Sequence, residues 1–188
     1  VHTEQTFRAG PDKAAVYERM FHTGLFEVLE SVPLVGDTAV LARGRQPRGP
    51  LTSGGRNEDF LSAPLVVEMA LQAAGLWGMV HHAFSYLPVG IGTLRHYGPH
   101  LAGEDVALRV LVESGSTERL VANVEARTTD GTLILVLAGV ELIGHRKAAE
   151  QERFAPSLPV RTVHRTLTAD EAIHWIERLQ ISTVELLS

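Results

Sequence analysis

Hydrophobic and polar positions along this chain follow two different periods. Between 64 and 82, "PLVVEMALQAAGLWGMVHH", apolar and small residues occupy every side of a helical wheel, broken only by Glu68 and Gln72 before the two closing histidines. A run of that length without alternation predicts a helix, and Pro64 suits its first turn. From 91 onward the period becomes two. "IGTLRHYG" at 91–98 predicts a short strand, and "EDVALRVLVESG" at 104–115 a longer one with Val106, Leu108, Val110 and Val112 on one face. "ERLVANVEARTT" at 118–129 sets Leu120, Ala122, Val124 and Ala126 against a largely polar face. Asp130-Gly131 marks a tight hairpin turn. "TLILVLAGVELIGH" at 132–145 is the most apolar strand and is expected at the centre of the sheet. Upstream, "LFEVLESV" at 25–32 and "DTAVLARGRQ" at 37–46 predict two more strands, and the Pro- and Gly-rich 47–59 a loop. Pro11 beside Asp12 predicts a helical turn within 11–20, with Pro11 at its first position.

The predicted order is strand, strand, long apolar helix, four strands. That helix has no polar face to offer water, so the strands must enclose it. The fold class expected is α+β, an antiparallel sheet wrapped around a long central helix. Residues 1–145 form this domain. Residues 146–188 are expected to be a linker and a C-terminal helical extension, whose helix opens on a capping box of Thr168 and Glu171.

Composition narrows the functional classes. The 188 residues are 45% hydrophobic and 21% charged with a formal net charge of −5, an ordinary globular balance with no basic footprint for nucleic acid. Cysteine is absent, which excludes disulfides, thiolate chemistry and cysteine-based zinc sites. The first ten residues lack the apolar core of a signal peptide, and the long apolar run is too short to span a bilayer. A cytoplasmic location with no membrane partner is the expectation.

The chemistry concentrates on one carboxylate. Glu68 and Gln72 lie one turn apart on the same helical face. Ala70, Ala73, Ala74, Gly75 and Gly78 around them are small, which lets a ligand or another backbone come close. A carboxyl group kept from water there is expected to have a raised pKa and to hand over a proton near neutral pH, with Gln72 orienting it. The competing expectation is a structural carboxylate paired with an arginine such as Arg56.

"PLVVEMALQAAG" resembles the helix motif of the hotdog-fold 3-hydroxyacyl-carrier-protein dehydratases, in which an apolar stretch leads into Glu-Ala-x-Ala-Gln-x-x-Gly. It also resembles the Leu-Asp-x-x-x-Gln/His motif in the second half of polyketide synthase dehydratase domains. Two further segments resemble that second half: "YERMFHTGLFEVLESV" at 17–32, similar to Phe-His-Gly-Pro-x-Phe, and "YLPVGIGTLRHYG" at 86–98, similar to the Leu-Pro strand after the helix. The resemblance runs over residues 17–144. It implies a hotdog fold and loss of water from a 3-hydroxyacyl thioester on a phosphopantetheine arm, with no other cofactor. It also implies two partners: an acyl carrier protein, and a second hotdog domain or a second copy of the chain. It places Glu68 as catalytic acid, Gln72 as its companion, and His22 and Phe26 beside the substrate.

The chain departs from the family in two places. "FHTGLF" lacks the Gly-Pro pair. The family's basic histidine precedes the helix carboxylate in a loop, and "TSGGRNEDF" here contains none. His22 is then the candidate base. His81 and His82 are expected to cap the helix C-terminus as positive rings. His96 and His100 lack an evident third metal ligand. His145, His164 and His174 are expected on the surface. Two rival functions remain at this point: a hotdog acyl thioesterase using the same carboxylate, and a non-catalytic hotdog that binds acyl chains or scaffolds a synthase.

Overall fold

The computed structural model describes residues 7–48, 63–98 and 103–145. One seven-stranded antiparallel sheet wraps around one long helix. The strands are β1 (Phe7–Arg8), β2 (Leu29–Gly36), β3 (Ala39–Arg45), β4 (Ser85–His96), β5 (Asp105–Gly115), β6 (Arg119–Thr128) and β7 (Leu133–His145). Their order across the sheet is β1-β2-β3-β5-β6-β7-β4. A short helix α1 (Lys13–Arg19) and a 3-10 turn (Gly24–Phe26) precede β2, and α2 (Pro64–His82) is the central helix.

The central helix occupies the predicted residues. Met69, Ala70, Ala73, Ala74 and Leu76 are fully buried, packed against inward residues of the sheet such as Val106, Val110, Leu120, Val124 and Leu137. Burying a large apolar side chain contributes about 1.5–3 kcal/mol, so this interface dominates the stability of the domain. Val67, Glu68 and Leu71 are only partly buried. They form the one stripe near the start of α2 that the sheet does not close over, and that opening becomes the cavity.

Several boundaries differ from the sequence pattern. The strand expected at 25–32 begins at Leu29, because Gly24 takes a positive φ of 62° and the chain turns through a 3-10 segment first. Strand β4 begins at Ser85, six residues before the expected 91. Pro88 hides its start, and it is tolerated because β4 is an edge strand with a register shift between Pro88 and Gly90. The most apolar strand, β7, is not central. It sits next to the edge, between β6 and β4, and β5 is the middle strand. Its apolarity comes from burial of Ile134, Leu135, Leu137, Val140 and Leu142. Pro11 lies outside α1; Asp12 is the N-cap, its carboxylate accepting from Ala15 N–H at 2.8 Å. The Asp130-Gly131 turn joins β6 to β7, with Gly131 at φ 88° and its N–H on Thr128 O at 3.0 Å. The predicted tail at 146–188 and the loop at 49–62, which includes Arg56, lie outside the described residues.

Candidate functional site

Glu68 sits on α2 at the open stripe. Its side chain is 23% exposed, and its Oε1 lies 2.8 Å from His22 Nε2. His22 comes from the segment between α1 and the 3-10 turn. Its ring stacks on Phe21, the centroids 4.1 Å apart. Gln72, one turn beyond Glu68, donates from Nε2 to the same Oε1 at 2.8 Å and to the Phe26 carbonyl at 2.8 Å. Neither bond uses Glu68 Oε2. His22 Nδ1 is buried without a hydrogen-bond partner among the described residues.

A cavity of about 360 Å³ opens beside this cluster. His22, Phe26, Glu68 and Gln72 line one end, and Leu71, Gly75, Met79, Tyr86 and Pro88 extend it along α2 toward the start of β4. The four residues singled out from sequence are therefore brought together around one opening. Among the described residues the partners on Glu68 Oε1 are a histidine and a carboxamide; Arg56, the alternative partner, lies outside them.

The electrostatics reverse one expectation. The Glu68 carboxyl is held below its ordinary pKa, chiefly by the hydrogen bond from His22, with the Gln72 bond and the His22 charge adding to it. Half-burial works in the opposite direction, and two donors on one oxygen outweigh it. Glu68 rests as a carboxylate. A raised pKa was expected because only burial could be read from the sequence, and the donors arrive through tertiary contact.

Tyr17 was not singled out from sequence. Its hydroxyl contacts Gln72 Oε1 at 2.8 Å and accepts the Leu29 N–H at 2.7 Å. The available signal was its place at the head of the 17–32 segment. The other histidines lie elsewhere. His81 stacks on Trp77 at 4.5 Å with Nε2 3.2 Å from Gly36 O. Burial lowers its pKa, so it is a neutral packed ring rather than the positive cap expected. His82 makes an edge contact with the same Trp77, its Nε2 buried and without a hydrogen-bond partner among the described residues. His96 closes β4, His145 is exposed at the end of β7, and His100, His164 and His174 lie outside the described residues.

A family model described as "Polyketide synthase dehydratase N-terminal domain" matches residues 1–152. The chain belongs to the polyketide synthase dehydratase family. The matched domain is described as the N-terminal one, whereas the motifs around Tyr17 and Glu68 resemble the second half. No curated protein matches the chain. Among solved structures this family member is similar to the dehydratase domain from the CurJ module of curacin polyketide synthase, at 18% identity and TM-score 0.60, covering 73% of this chain and 50% of that one. The dehydratase domain of PpsC from Mycobacterium tuberculosis, solved with C12:1-CoA, gives 19% identity and TM-score 0.58 over 75% of this chain and 53% of that one. The dehydratase heterocomplex ApeI:P from Xenorhabdus doucetiae gives 20% identity and TM-score 0.57 over 70% of this chain and 91% of that one. These likenesses speak to the fold, the hotdog arrangement expected. The polyketide synthase dehydratase chain described here spans about half the length of the first solved dehydratase domains it matches. Among the described residues no helix is long and apolar enough to cross a membrane.

Proposed function

We propose that this chain dehydrates a 3-hydroxyacyl thioester carried on the phosphopantetheine arm of an acyl carrier protein, with no other cofactor. The observation that carries the reading is the 2.8 Å contact of His22 Nε2 with Glu68 Oε1 at the end of an apolar-walled cavity. Dehydration needs a base for the C2 proton and an acid for the departing C3 hydroxyl. Because C2 and C3 are adjacent, the two groups must be neighbours, as these are.

Glu68 rests ionised, so its proton must come from its partner. His22 and Glu68 share a proton along their 2.8 Å contact, so the pair takes the C2 proton and passes one to the departing hydroxyl. One proton enters from C2 and one leaves in water, so the net proton count of the pair is unchanged over the reaction. The apolar walls along α2 and β4, Leu71, Met79, Tyr86 and Pro88, keep water from the enolate-like intermediate.

We also assign the β4 edge as the contact for a second hotdog, from another chain or a second copy. Leu87, Val89, Ile91, Leu94 and Tyr97 are exposed along or just beyond this edge strand, and Phe21, Leu25 and Phe26 are exposed on the His22 segment. An apolar sheet edge calls for a cover.

The test is incubation with 3-hydroxyacyl and saturated acyl thioesters, followed by mass spectrometry. Loss of water from the 3-hydroxyacyl substrate without thiol release is expected. Thiol release from both substrates would make the protein a thioesterase. Turnover unchanged in Glu68→Gln would refute the assigned site.

A further inference from the structure

The Glu68 carboxylate is oriented by a hydrogen-bond relay that starts away from the cavity. The Leu29 N–H, at the head of β2, donates to the Tyr17 phenol oxygen at 2.7 Å. A backbone N–H only donates, so that oxygen accepts and its own proton must find another acceptor. Gln72 Oε1 lies 2.8 Å away and, as an amide oxygen, can only accept. At the far end of the carboxamide, Nε2 is 2.8 Å from the Phe26 carbonyl, which also can only accept. Two backbone groups of fixed polarity thus define the direction of every bond between them. The second Nε2 hydrogen is left for Glu68 Oε1, at 2.8 Å. Turning the amide over would face its oxygen toward the Phe26 carbonyl and the Glu68 carboxylate, two repulsive acceptor pairs.

We propose that Tyr17 is a positioning residue for the Glu68–His22 pair: by accepting from Leu29 and donating to Gln72 it locks the carboxamide with its hydrogens on Glu68, which keeps that group an acceptor and leaves the exchangeable proton on His22. Three elements meet in the relay: Tyr17 from α1, Leu29 from β2, and Gln72 with Glu68 from α2. Burial raises the Tyr17 pKa far above neutrality, so the phenol keeps the proton it must donate. Without the hydroxyl, Gln72 Oε1 loses its donor and the carboxamide is held only at its Nε2 end, so its bond to Glu68 loosens and the carboxylate form loses part of its stabilisation. The kinetic side of this inference rests on the dehydration reading; the titration of Glu68 does not.

The experiment compares wild type, Tyr17→Phe, Gln72→Met and the double variant in the full chain. The Glu68 carboxyl is titrated by carbon-13 NMR, and the pH profile of kcat/KM is recorded with a 3-hydroxyacyl thioester. In Tyr17→Phe the Glu68 midpoint is expected to rise by about one unit, with the acid limb of the profile moving alongside it. Gln72→Met is expected to shift Glu68 in the same direction. The double variant should titrate like Gln72→Met alone, because Tyr17 acts through Gln72. An unmoved midpoint in Tyr17→Phe, or a double-variant shift equal to the sum of the singles, overturns the proposal. Should Tyr17→Phe fail to fold, an unmoved Glu68 in Gln72→Met overturns it equally. Shifted midpoints in a protein that dehydrates no thioester would uphold the relay and sink the function.

Discussion

Two glycines three residues apart on α2 should respond in opposite ways to the same added methyl group. A Cβ at Gly75 would meet Tyr86 O at 3.7 Å and Leu142 Cδ2 at 3.8 Å, ordinary van der Waals contact. A Cβ at Gly78 would lie 2.1 Å from Tyr86 Cε2 and 2.4 Å from its Cδ2, inside the ring's van der Waals surface. That ring is 7% exposed and its hydroxyl donates to Ser116 O at 2.5 Å, so it cannot swing aside without losing an acceptor. Replacing an interior helical glycine by alanine stabilises by about 1 kcal/mol. Gly75→Ala should therefore stabilise the fold by about 0.5–1 kcal/mol. In Gly78→Ala the same gain is set against about 1–3 kcal/mol of overpacking and about 1–3 kcal/mol for a phenol left without its acceptor. The net expectation is destabilisation by about 1–5 kcal/mol. Equilibrium urea denaturation followed by far-UV circular dichroism reads both variants, through the midpoint at constant slope. Equal shifts in the two, or a Gly78→Ala protein as stable as its parent, would refute the packing of α2 against β4. Because Tyr86 also walls the cavity, Gly78→Ala should lose turnover as well, whereas Gly75→Ala should fold normally with a slightly smaller cavity.

Glu68→Gln should reduce dehydration by about 10²–10⁴-fold with an unchanged circular dichroism spectrum, since its partners Gln72 and His22 remain beside a group of the same shape. His81 gives a pH test of stability. Its folded pKa lies below the ordinary value of about 6.5, chiefly through burial, so below that pH the unfolded chain binds a proton that the folded one refuses. Stability should fall as pH drops from about 6.5 toward the lower folded value, then level off as far as this residue is concerned. Arg8, Asp37 and His82 complete its surroundings, and His81→Gln should remove that part of the slope in denaturation midpoints measured across pH. Ile91→Lys on β4 should weaken self-association or pairing with a second hotdog by tenfold or more in sedimentation velocity, while leaving the isolated fold intact. An unaltered association constant would place that contact elsewhere.

The sequence alone determined the central helix, the antiparallel strands from 104 to 145 and the Glu68–Gln72 pair, while His22 and Phe26 entered through the family resemblance. The first three are local patterns: a long run of apolar and small residues, a two-residue period with an Asp-Gly turn, and a carboxylate and carboxamide one helical turn apart. Edge strand β4 was half visible, because Pro88 disrupts the local signal while the sheet tolerates it at an edge. The central place assigned to β7 was wrong, because hydrophobicity reports how much of a strand is buried and not which strands flank it. Tertiary structure alone decided which state Glu68 rests in. The sequence shows a carboxylate among apolar neighbours and so predicts an elevated pKa. The fold brings His22 from 46 positions upstream and Gln72 from the next turn onto the same oxygen, and two short hydrogen bonds outweigh the burial. It also recruits Tyr17, whose phenol gains meaning only when β2 lays the Leu29 N–H against it. Local periodicity encodes which face is buried. Hydrogen-bond polarity between distant segments depends on where the chain returns, and only the folded chain holds that information.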